Sequence, residues 1–134
     1  MRRVDTSRLY RFEALYLHTK ACPGNDDTPI GVLRRLAKKV WKEYGRTHEC
    51  PPIIAGLGCD GDQYSYYEVP PVHKIVLKRT QRTPTVLMHE LTHALGCGYH
   101  NKRFCRLYFE LLVKYLKFDA ELLNNQALLF SIKV

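Results

Sequence analysis

The chain has 134 residues, 46% of them hydrophobic, so it is long enough to bury the core of one domain. It carries a formal net charge of +8, which suits either a polyanionic partner such as a nucleic acid or a solvated basic surface. No apolar stretch approaches membrane-spanning length, which argues against a membrane-spanning protein. We therefore predict a single domain over residues 1–134.

The five cysteines are irregularly spaced and include no C-x-x-C pair, so the sequence predicts neither a zinc ribbon nor a thioredoxin-like site. No secretory signal is recognisable, because charged residues interrupt every apolar run near the amino terminus. We therefore expect reduced thiols and a cytoplasmic location. A second metal site formed by Cys50 and Cys59, with His48 nearby, matches no standard spacing and is kept as an alternative.

Residues 6–20 predict a first helix, capped by Thr6 or Ser7. Its charged residues, Glu13 among them, fall mostly outside the apolar face. That face recurs at steps of three and four residues and consists of Leu9, Phe12, Leu15 and Tyr16.

A second helix is predicted from Thr28-Pro29, a capping residue followed by proline at the first helical position, to about Tyr44. Gly45 is predicted to end this helix. The face opposite its apolar stripe is the most basic surface in the sequence, and exposure to solvent explains it more simply than contact with nucleic acid. This basic face consists of Arg34, Arg35, Lys38, Lys39 and Lys42.

The middle of the chain predicts a small sheet. Residues 46–63 are rich in turn-forming residues but include a short strand at Ile53-Ile54. Two further strands are predicted over residues 64–69 and 72–77, separated by Pro70-Pro71. The strand 72–77 directly precedes the next helix.

Two more helices follow the sheet. Thr83-Pro84 repeats the capping signal and begins a helix that runs to about Leu95, after which Gly96 and Gly98 turn the chain. Residues 101–117 predict the helix that comes next.

The tail, residues 119–134, is predicted to start with a short helical turn capped by Asp119, and residues 128–134 either add a strand or pack loosely. The predicted fold class is α+β. It combines a small mixed or antiparallel sheet, packed on the helix 84–95, with three further helices.

The helix 84–95 carries the pattern H-E-x-x-H, from His89 to His93. Two histidines four residues apart on a helix are separated by about 400°, so both rings leave the same face and can bind one Zn²⁺. Glu90 lies about 100° further round than His89, where a carboxylate can accept a proton from a zinc-bound water. The pattern therefore predicts two metal ligands and a catalytic base.

A catalytic zinc takes three protein ligands, and the sequence offers three candidates for the third. His100 is favoured, because Gly96 and Gly98 would let the chain reverse toward the metal. Glu110 requires the next helix to pack directly on the motif helix. Cys97 gives a mixed site that is less usual in a zinc protease.

The spacing argues against a metzincin. Gly96 matches the glycine of the metzincin pattern, but the third histidine of that pattern would fall at Tyr99, one residue before His100. The downstream methionine turn also has no counterpart, since the only methionines are Met1 and Met88.

The H-E-x-x-H helix, the glycine-containing turn, His100 and the helix begun by Phe104 together resemble the SprT-like and WLM-type zinc metallopeptidases. The resemblance covers roughly residues 70–117 and includes the strand 72–77 before the motif. It implies a minimal zincin-like metalloprotease core in which the three histidines bind Zn²⁺ and Glu90 is the base. The zinc ribbon and DNA-binding extensions of many SprT-like proteases have no counterpart in this sequence.

The expected activity is peptide-bond hydrolysis through a zinc-bound water that Glu90 activates. The strand 72–77 is the predicted edge along which an extended protein or peptide substrate would bind. Nucleic-acid-associated proteins are one expected class of substrate. Tyr99 or Tyr108 either donates a hydrogen bond to the developing oxyanion or only packs.

One alternative is a zinc-dependent endoribonuclease, because the zinc motif H-x-x-x-H-x-x-G-x-x-H of ribosomal-RNA maturation enzymes is partly matched. Another is an inactive, zinc-stabilised module that binds nucleic acid or protein. The remaining histidines, interpreted as structural or exposed, are His18, His48 and His73.

Overall fold

The structure is a computed structural model that describes residues 6–46, 48–56 and 64–134. In these ranges the chain forms five α-helices and one three-stranded sheet, so the fold class is α+β, as predicted. None of these helices is both long and apolar enough to cross a membrane. The helices are α1 (Thr6–Phe12), α2 (Ile30–Tyr44), α3 (Pro84–Ala94), α4 (Lys102–Leu116) and α5 (Ala120–Leu128). The strands are β1 (Ile53–Ala55), β2 (Tyr66–Glu68) and β3 (Lys74–Leu77).

The sheet has the order β1-β3-β2, with β3 parallel to β1 and antiparallel to β2. The prediction that the strand 72–77 offers a free edge is therefore wrong, because neighbouring strands occupy both sides of β3. This strand also begins later than predicted, at Lys74, since His73 adopts a left-handed backbone conformation with φ of 52°. The edge strand that contacts the motif helix α3 is β2.

The first helix departs from the regular helix predicted over residues 6–20. After α1, residues Glu13–Leu17 form a π-helical turn, in which the His18 backbone N–H donates a hydrogen bond of 2.7 Å to the Glu13 carbonyl oxygen. The wider turn changes which side chains point inward, because the 3.6-residue period no longer applies. Leu15, predicted to be buried, is 62% exposed, whereas Glu13, predicted to lie off the apolar face, is only 4% exposed.

α2 begins slightly later than predicted. Its first residue is Ile30, and the Thr28 hydroxyl donates a hydrogen bond of 2.8 Å to the Asp26 carbonyl oxygen instead of capping the helix. Gly45 ends the helix, as predicted. The whole basic face of α2 is exposed, and the buried residues of the helix are Leu33, Ala37 and Val40.

The tail forms a complete helix rather than a short turn. The Asp119 side chain caps α5 by accepting a hydrogen bond of 2.9 Å from the Leu122 backbone N–H, as the sequence predicts. Residues after α5 add no strand to the described sheet. They pack on the core instead, with Ile132 only 1% exposed.

The motif helix α3 lies in the centre of the core. All eight residues from Thr85 to Thr92 are buried, and the helix contacts α2, α4, β2 and β3. Leu87, Met88 and Leu91 are fully buried, and burial of each such side chain contributes about 1.5–3 kcal/mol relative to exposure. The hydrophobic core itself therefore holds the metal-binding pattern in place.

Two sets of contacts fix the start of α3. Thr83 caps the helix, since its hydroxyl oxygen accepts a hydrogen bond of 3.3 Å from the Val86 backbone N–H, and Pro84 occupies the first helical position, as predicted. The Gly24 carbonyl oxygen accepts hydrogen bonds of 3.0 Å from both the backbone N–H and the hydroxyl of Thr85. The loop that follows the π-helical turn is thereby tied to the motif helix.

Gly24→Ala is expected to lower the free energy of unfolding by about 2 kcal/mol. Gly24 has a φ of 81°, and an added Cβ would lie 2.8 Å from both the Leu116 Cδ1 and the Thr85 Oγ1 atoms. Urea unfolding monitored by circular dichroism measures the change. The matched control is Gly31→Ala at the start of α2, which is expected to be neutral or slightly stabilising because an added Cβ meets only the Arg35 side chain, at 3.9 Å. Equal stability of Gly24→Ala and the wild type would contradict the prediction.

Candidate metal centre

α3 and the loop that follows it bring three histidines together. His89 and His93 lie one turn apart on α3, and His100 returns to them from the loop before α4. The Nε2 atom of His100 lies 3.2 Å from Nε2 of His89 and 3.0 Å from Nε2 of His93. Within the ranges that the structure describes, these residues form the one group of His, Cys, Asp or Glu side chains arranged to hold a metal ion. The three histidines predicted as ligands therefore meet at one point.

The return of His100 depends on the end of α3. Gly96 has a φ of 109°, a conformation that residues with side chains rarely adopt, whereas Gly98 has no positive φ. Asn101 then caps α4, since its side-chain oxygen accepts a hydrogen bond of 2.9 Å from the Phe104 backbone N–H. The predicted glycine turn is confirmed, and Gly96 is the glycine whose conformation it requires.

Phe104 packs against one side of the three-histidine cluster. It is fully buried, and its ring centroid lies 5.0 Å from that of His89, 4.6 Å from that of His93 and 4.8 Å from that of His100. The aromatic ring therefore shields all three imidazoles from solvent on one side.

Hydrogen bonds determine the tautomer of two of the histidines. The Nδ1 atom of His89 lies 2.7 Å from Oε2 of Glu13, and Nδ1 of His93 lies 2.8 Å from the carbonyl oxygen of Cys97. Because a carboxylate and a carbonyl can only accept, each Nδ1 carries the hydrogen. When these rings are neutral, their Nε2 lone pairs point toward His100 and the centre of the cluster.

This donor set fits a metal ion. A tetrahedral Zn²⁺ with Zn–N distances of about 2.0–2.1 Å places its ligand nitrogens about 3.3 Å apart. The separations of 3.0 and 3.2 Å found here are close to that value. Three protein nitrogens also leave the fourth tetrahedral position open. Imidazole suits copper, iron and nickel as well, so the geometry indicates a metal site without selecting among these ions.

Burial prepares two of the ligands for metal binding. Burial, followed by the charge of His89, lowers the pKa of both His93 and His100 to about 4. Neutral imidazole is the form that binds a metal. Burial acts on His89 in the same direction, but the neighbouring Glu13 carboxylate outweighs it and raises the His89 pKa. Burial likewise opposes ionisation of Glu13, yet His89 lowers its pKa, so the two groups form a charge-coupled pair.

Glu13 is a residue of the candidate site that sequence reasoning missed. It lies 76 positions before His89, on a π-helical turn that no local pattern predicted. Its Oε2 atom also accepts a hydrogen bond of 2.7 Å from the Tyr108 hydroxyl. A carboxylate bound to the non-coordinating nitrogen of a metal ligand orients the ring and raises its basicity. Glu13 and Tyr108 are therefore placed to position His89.

Glu90 lies beside the cluster, as predicted. It is 7% exposed, and burial raises its pKa to about 7, although the His89 charge and a hydrogen bond from the Tyr67 backbone N–H oppose the shift. With Tyr66 and Tyr67 of β2 it lines a cavity of about 280 Å³ next to the histidines. A carboxylate that titrates near neutral pH can both accept and release a proton in this position.

The cluster opens into a cleft along the edge strand β2. The cavity of about 280 Å³ next to the histidines adjoins one of about 620 Å³ on the Glu90 side and one of about 280 Å³ on the His93 side. Tyr10 and Ser65 line both the central and the largest cavity, whereas Tyr67 and Val69 line both the central cavity and the one on the His93 side. The three cavities therefore lie side by side along the histidines.

The other two candidates for the third ligand do not join the histidine cluster. Glu110 accepts a hydrogen bond of 2.6 Å from the Tyr44 hydroxyl, at the contact between α2 and α4. Cys97 contacts His93 through its carbonyl oxygen, and its thiol does not belong to the cluster. Cys59 lies outside the described residues, so a second metal site there stays a prediction.

The tyrosines predicted near the reaction centre do not line the cleft. Tyr99 is 52% exposed and lines a separate cavity, and the buried Tyr108 directs its hydroxyl to Glu13. The tyrosine that lies over the cluster is Tyr10, on α1, which sequence reasoning did not single out. Its ring meets His100 edge to face, with centroids 5.5 Å apart.

The remaining histidines lie outside the cluster. His73 is structural, as predicted, because its ring accepts a hydrogen bond of 2.7 Å from the Tyr67 hydroxyl and donates one of 2.6 Å to the Glu49 carbonyl oxygen. His48 is exposed. His18 lies near the site, with its Nε2 atom 3.7 Å from Oε2 of Glu13.

No protein-family model, curated protein or solved structure matches the chain. The resemblance to SprT-like and WLM-type metallopeptidases therefore stays a prediction made from the motif residues.

His100→Ala is expected to weaken zinc binding by more than about 100-fold, because only two protein ligands would be left. Competition with a chromophoric chelator measures the affinity. The control is His48→Ala, which removes an exposed imidazole outside the cluster and should bind zinc like the wild type. Wild-type affinity in the His100→Ala protein would remove His100 from the ligand set.

Glu13→Gln is expected to weaken zinc binding by about 10–100-fold while the protein remains folded. The amide oxygen can still accept a hydrogen bond from His89, but it lacks the negative charge that increases the basicity of the ring. The same chelator competition applies, with Glu121→Gln, an exposed site on α5, as the control for loss of one negative charge. If both variants bind zinc equally well, Glu13 does not support the metal ligand.

Proposed function

We propose that the protein is a zinc-dependent metallopeptidase that hydrolyses peptide bonds in extended polypeptides. The observation that carries the proposal is the position of Glu90, a buried carboxylate beside three converging histidines, at a cleft bordered by an edge strand. Three nitrogen ligands with one open position are typical of catalytic zinc, whereas structural zinc is usually enclosed by four protein ligands.

His89, His93 and His100 would hold the metal through their Nε2 atoms. Zn²⁺ bound there supplies a Lewis acid that polarises the scissile carbonyl and acidifies a water molecule. Glu90 accepts the proton of the attacking water and then delivers it to the leaving amine. Its pKa of about 7 suits both steps, because a much stronger acid would accept the proton of water poorly and a much weaker acid would release it poorly to the amine.

The edge strand β2 is proposed to bind the substrate main chain. An extended peptide that pairs with β2 would run across the histidines, because residues of β2 line the central cavity together with His89 and Glu90. This assignment replaces the strand 72–77, since β3 is already paired on both sides. Main-chain pairing would hold substrates of many sequences, provided that they are unfolded.

The charges along the cleft favour a polypeptide over RNA as the substrate. Glu13 and Glu90 line its cavities, and Arg46 is the one Lys or Arg among the described residues that line them. A phosphate backbone in the cleft would therefore meet two carboxylates and little positive charge. The basic face of α2 lies near the opposite edge of the sheet, where Arg34 donates a hydrogen bond of 3.0 Å to the Ile53 carbonyl oxygen of β1.

Nucleic acid is accordingly proposed as a partner of the α2 face rather than as a substrate in the cleft. A polyanion bound to the basic residues of α2 would bring nucleic-acid-associated proteins near the cleft.

Glu90→Gln is expected to retain zinc but to lose peptide hydrolysis by about 10²–10⁴-fold, the usual contribution of a general base. The zinc-loaded wild type, Glu90→Gln and the control Glu121→Gln are incubated separately with an unfolded protein, a structured RNA and single-stranded DNA. The expected result is cleavage of the unfolded protein alone, by the wild type and the control.

Full proteolysis by the Glu90→Gln protein would refute the role of Glu90. Cleavage of RNA alone would support an endoribonuclease. A zinc-loaded wild type that cleaves none of the three substrates would indicate a binding module.

A further inference from the structure

We propose that the cavity of about 620 Å³ on the Glu90 side of the histidines is a specificity pocket for a bulky apolar side chain of the substrate. The proposal rests on the peptidase function and adds a preference that the metal-binding residues do not themselves impose. The side chain would belong to a residue next to the scissile bond.

The position of the pocket follows from the residues that it shares with the reaction centre. His89 and Glu90 form part of its wall, so a residue whose carbonyl lies over the histidines can place a neighbouring side chain in it. Tyr10 and Ser65 line both this pocket and the central cavity. The pocket and the place where the bond would be cleaved are therefore adjacent.

The walls of the pocket are chiefly apolar. The apolar and aromatic lining residues are Tyr10 of α1, Ala14 of the π-helical turn, Val86 of α3 and Tyr64, which lies two residues before β2. No Lys or Arg is found among the described residues that line it. An aliphatic or aromatic side chain can therefore gain from burial here without meeting an unmatched cation.

Several polar groups of the pocket are engaged by the protein. The Ser65 hydroxyl donates a hydrogen bond of 2.8 Å to the Gln81 side chain and accepts one of 2.9 Å from the Lys78 backbone N–H. Glu13 accepts hydrogen bonds from His89 and Tyr108, as described above. An acidic substrate side chain would be repelled by Glu13 and Glu90, which line the same pocket.

The sizes of the cavities imply that the site accepts a larger substrate side chain on one side of the cleaved bond than on the other. The pocket on the Glu90 side has more than twice the volume of the cavity on the His93 side, about 620 against about 280 Å³. A large side chain such as Phe, Leu or Met is therefore expected on one side of the cleaved bond. Substituting alanine for it should lower kcat/KM by about 10–100-fold, as expected when a bulky apolar side chain is removed from a pocket.

Ala14 offers a direct way to fill the pocket. It is exposed on the π-helical turn, so a larger side chain can be added there without entering the core. Its neighbour Leu15 is 62% exposed and is not among the lining residues, which makes Leu15→Trp a matched control. Ala14→Leu and Ala14→Trp form a graded series, so that a folding defect in the larger variant leaves a second test.

The experiment uses the zinc-loaded full chain and a peptide library whose cleavage sites are identified by mass spectrometry. The wild type and Leu15→Trp should show the same enrichment of Phe, Leu or Met at one position next to the cleaved bond. The ratio of kcat/KM for a Phe peptide to that for the matching Ala peptide should fall about 10-fold or more in Ala14→Trp and less in Ala14→Leu. Binding of the same two peptides to the inactive Glu90→Gln protein, measured by fluorescence polarisation, gives a second readout that does not depend on turnover.

Glu90-dependent cleavage without side-chain preference, or with a preference for acidic or basic residues, would overturn the pocket and leave the peptidase function intact. The same conclusion would follow if Ala14→Leu and Ala14→Trp both kept the wild-type Phe-to-Ala ratio. Absence of any Glu90-dependent peptide cleavage would overturn the pocket and the proposed function together.

Discussion

The hydrogen bond of 2.7 Å between Glu13 and His89 joins positions that lie 76 residues apart, and the arrangement of the site depends on it. It forms only because the π-helical turn directs Glu13 inward and because α3 holds His89 inside the core. Tyr108 on α4 shares the same carboxylate oxygen, so one acceptor connects three helical segments. Loss of its partners would leave a buried charge without compensation, which is strongly destabilising. The contact that orients His89 therefore also stabilises the packing of the amino-terminal segment.

Desolvation accounts for the contrasting pKa shifts within the site. The charged form of imidazole is protonated, whereas the charged form of a carboxylate is deprotonated, so burial moves the two pKa values in opposite directions. His93 and His100 consequently have pKa values of about 4, and Glu90 has one of about 7. One environment thus provides both neutral imidazoles and a carboxyl group that titrates near neutral pH. Glu13 creates the exception at His89, where a buried negative charge outweighs the effect of burial.

Local patterns predicted much of the fold and the core of the candidate site. The Thr83-Pro84 signal gave the start of α3, and the side chain of Asp119 caps α5 as expected. The four-residue spacing placed His89 and His93 on one face, because helix geometry alone sets the angle between them. Such inferences succeed because each depends on the conformation of a few neighbouring residues. The prediction for residues 6–20 assumed a regular helical period, and it failed over residues 13–17 because the π-helical turn has a different period.

The amino-acid sequence by itself determined the motif helix, its capping residues, the glycine turn and the choice of His100, because these follow from short-range geometry and from ligand chemistry. Only the tertiary structure decided that Glu13 supports His89, that Tyr10 lies over the cluster, and that β2 is the strand beside the cleft. Strand order and contacts between distant helices depend on how whole elements pack, and periodicity within one segment carries no information about its neighbours in space. The three histidines of the candidate metal site are therefore visible in the sequence, while the groups that position them and shape the cleft emerge only when the chain folds.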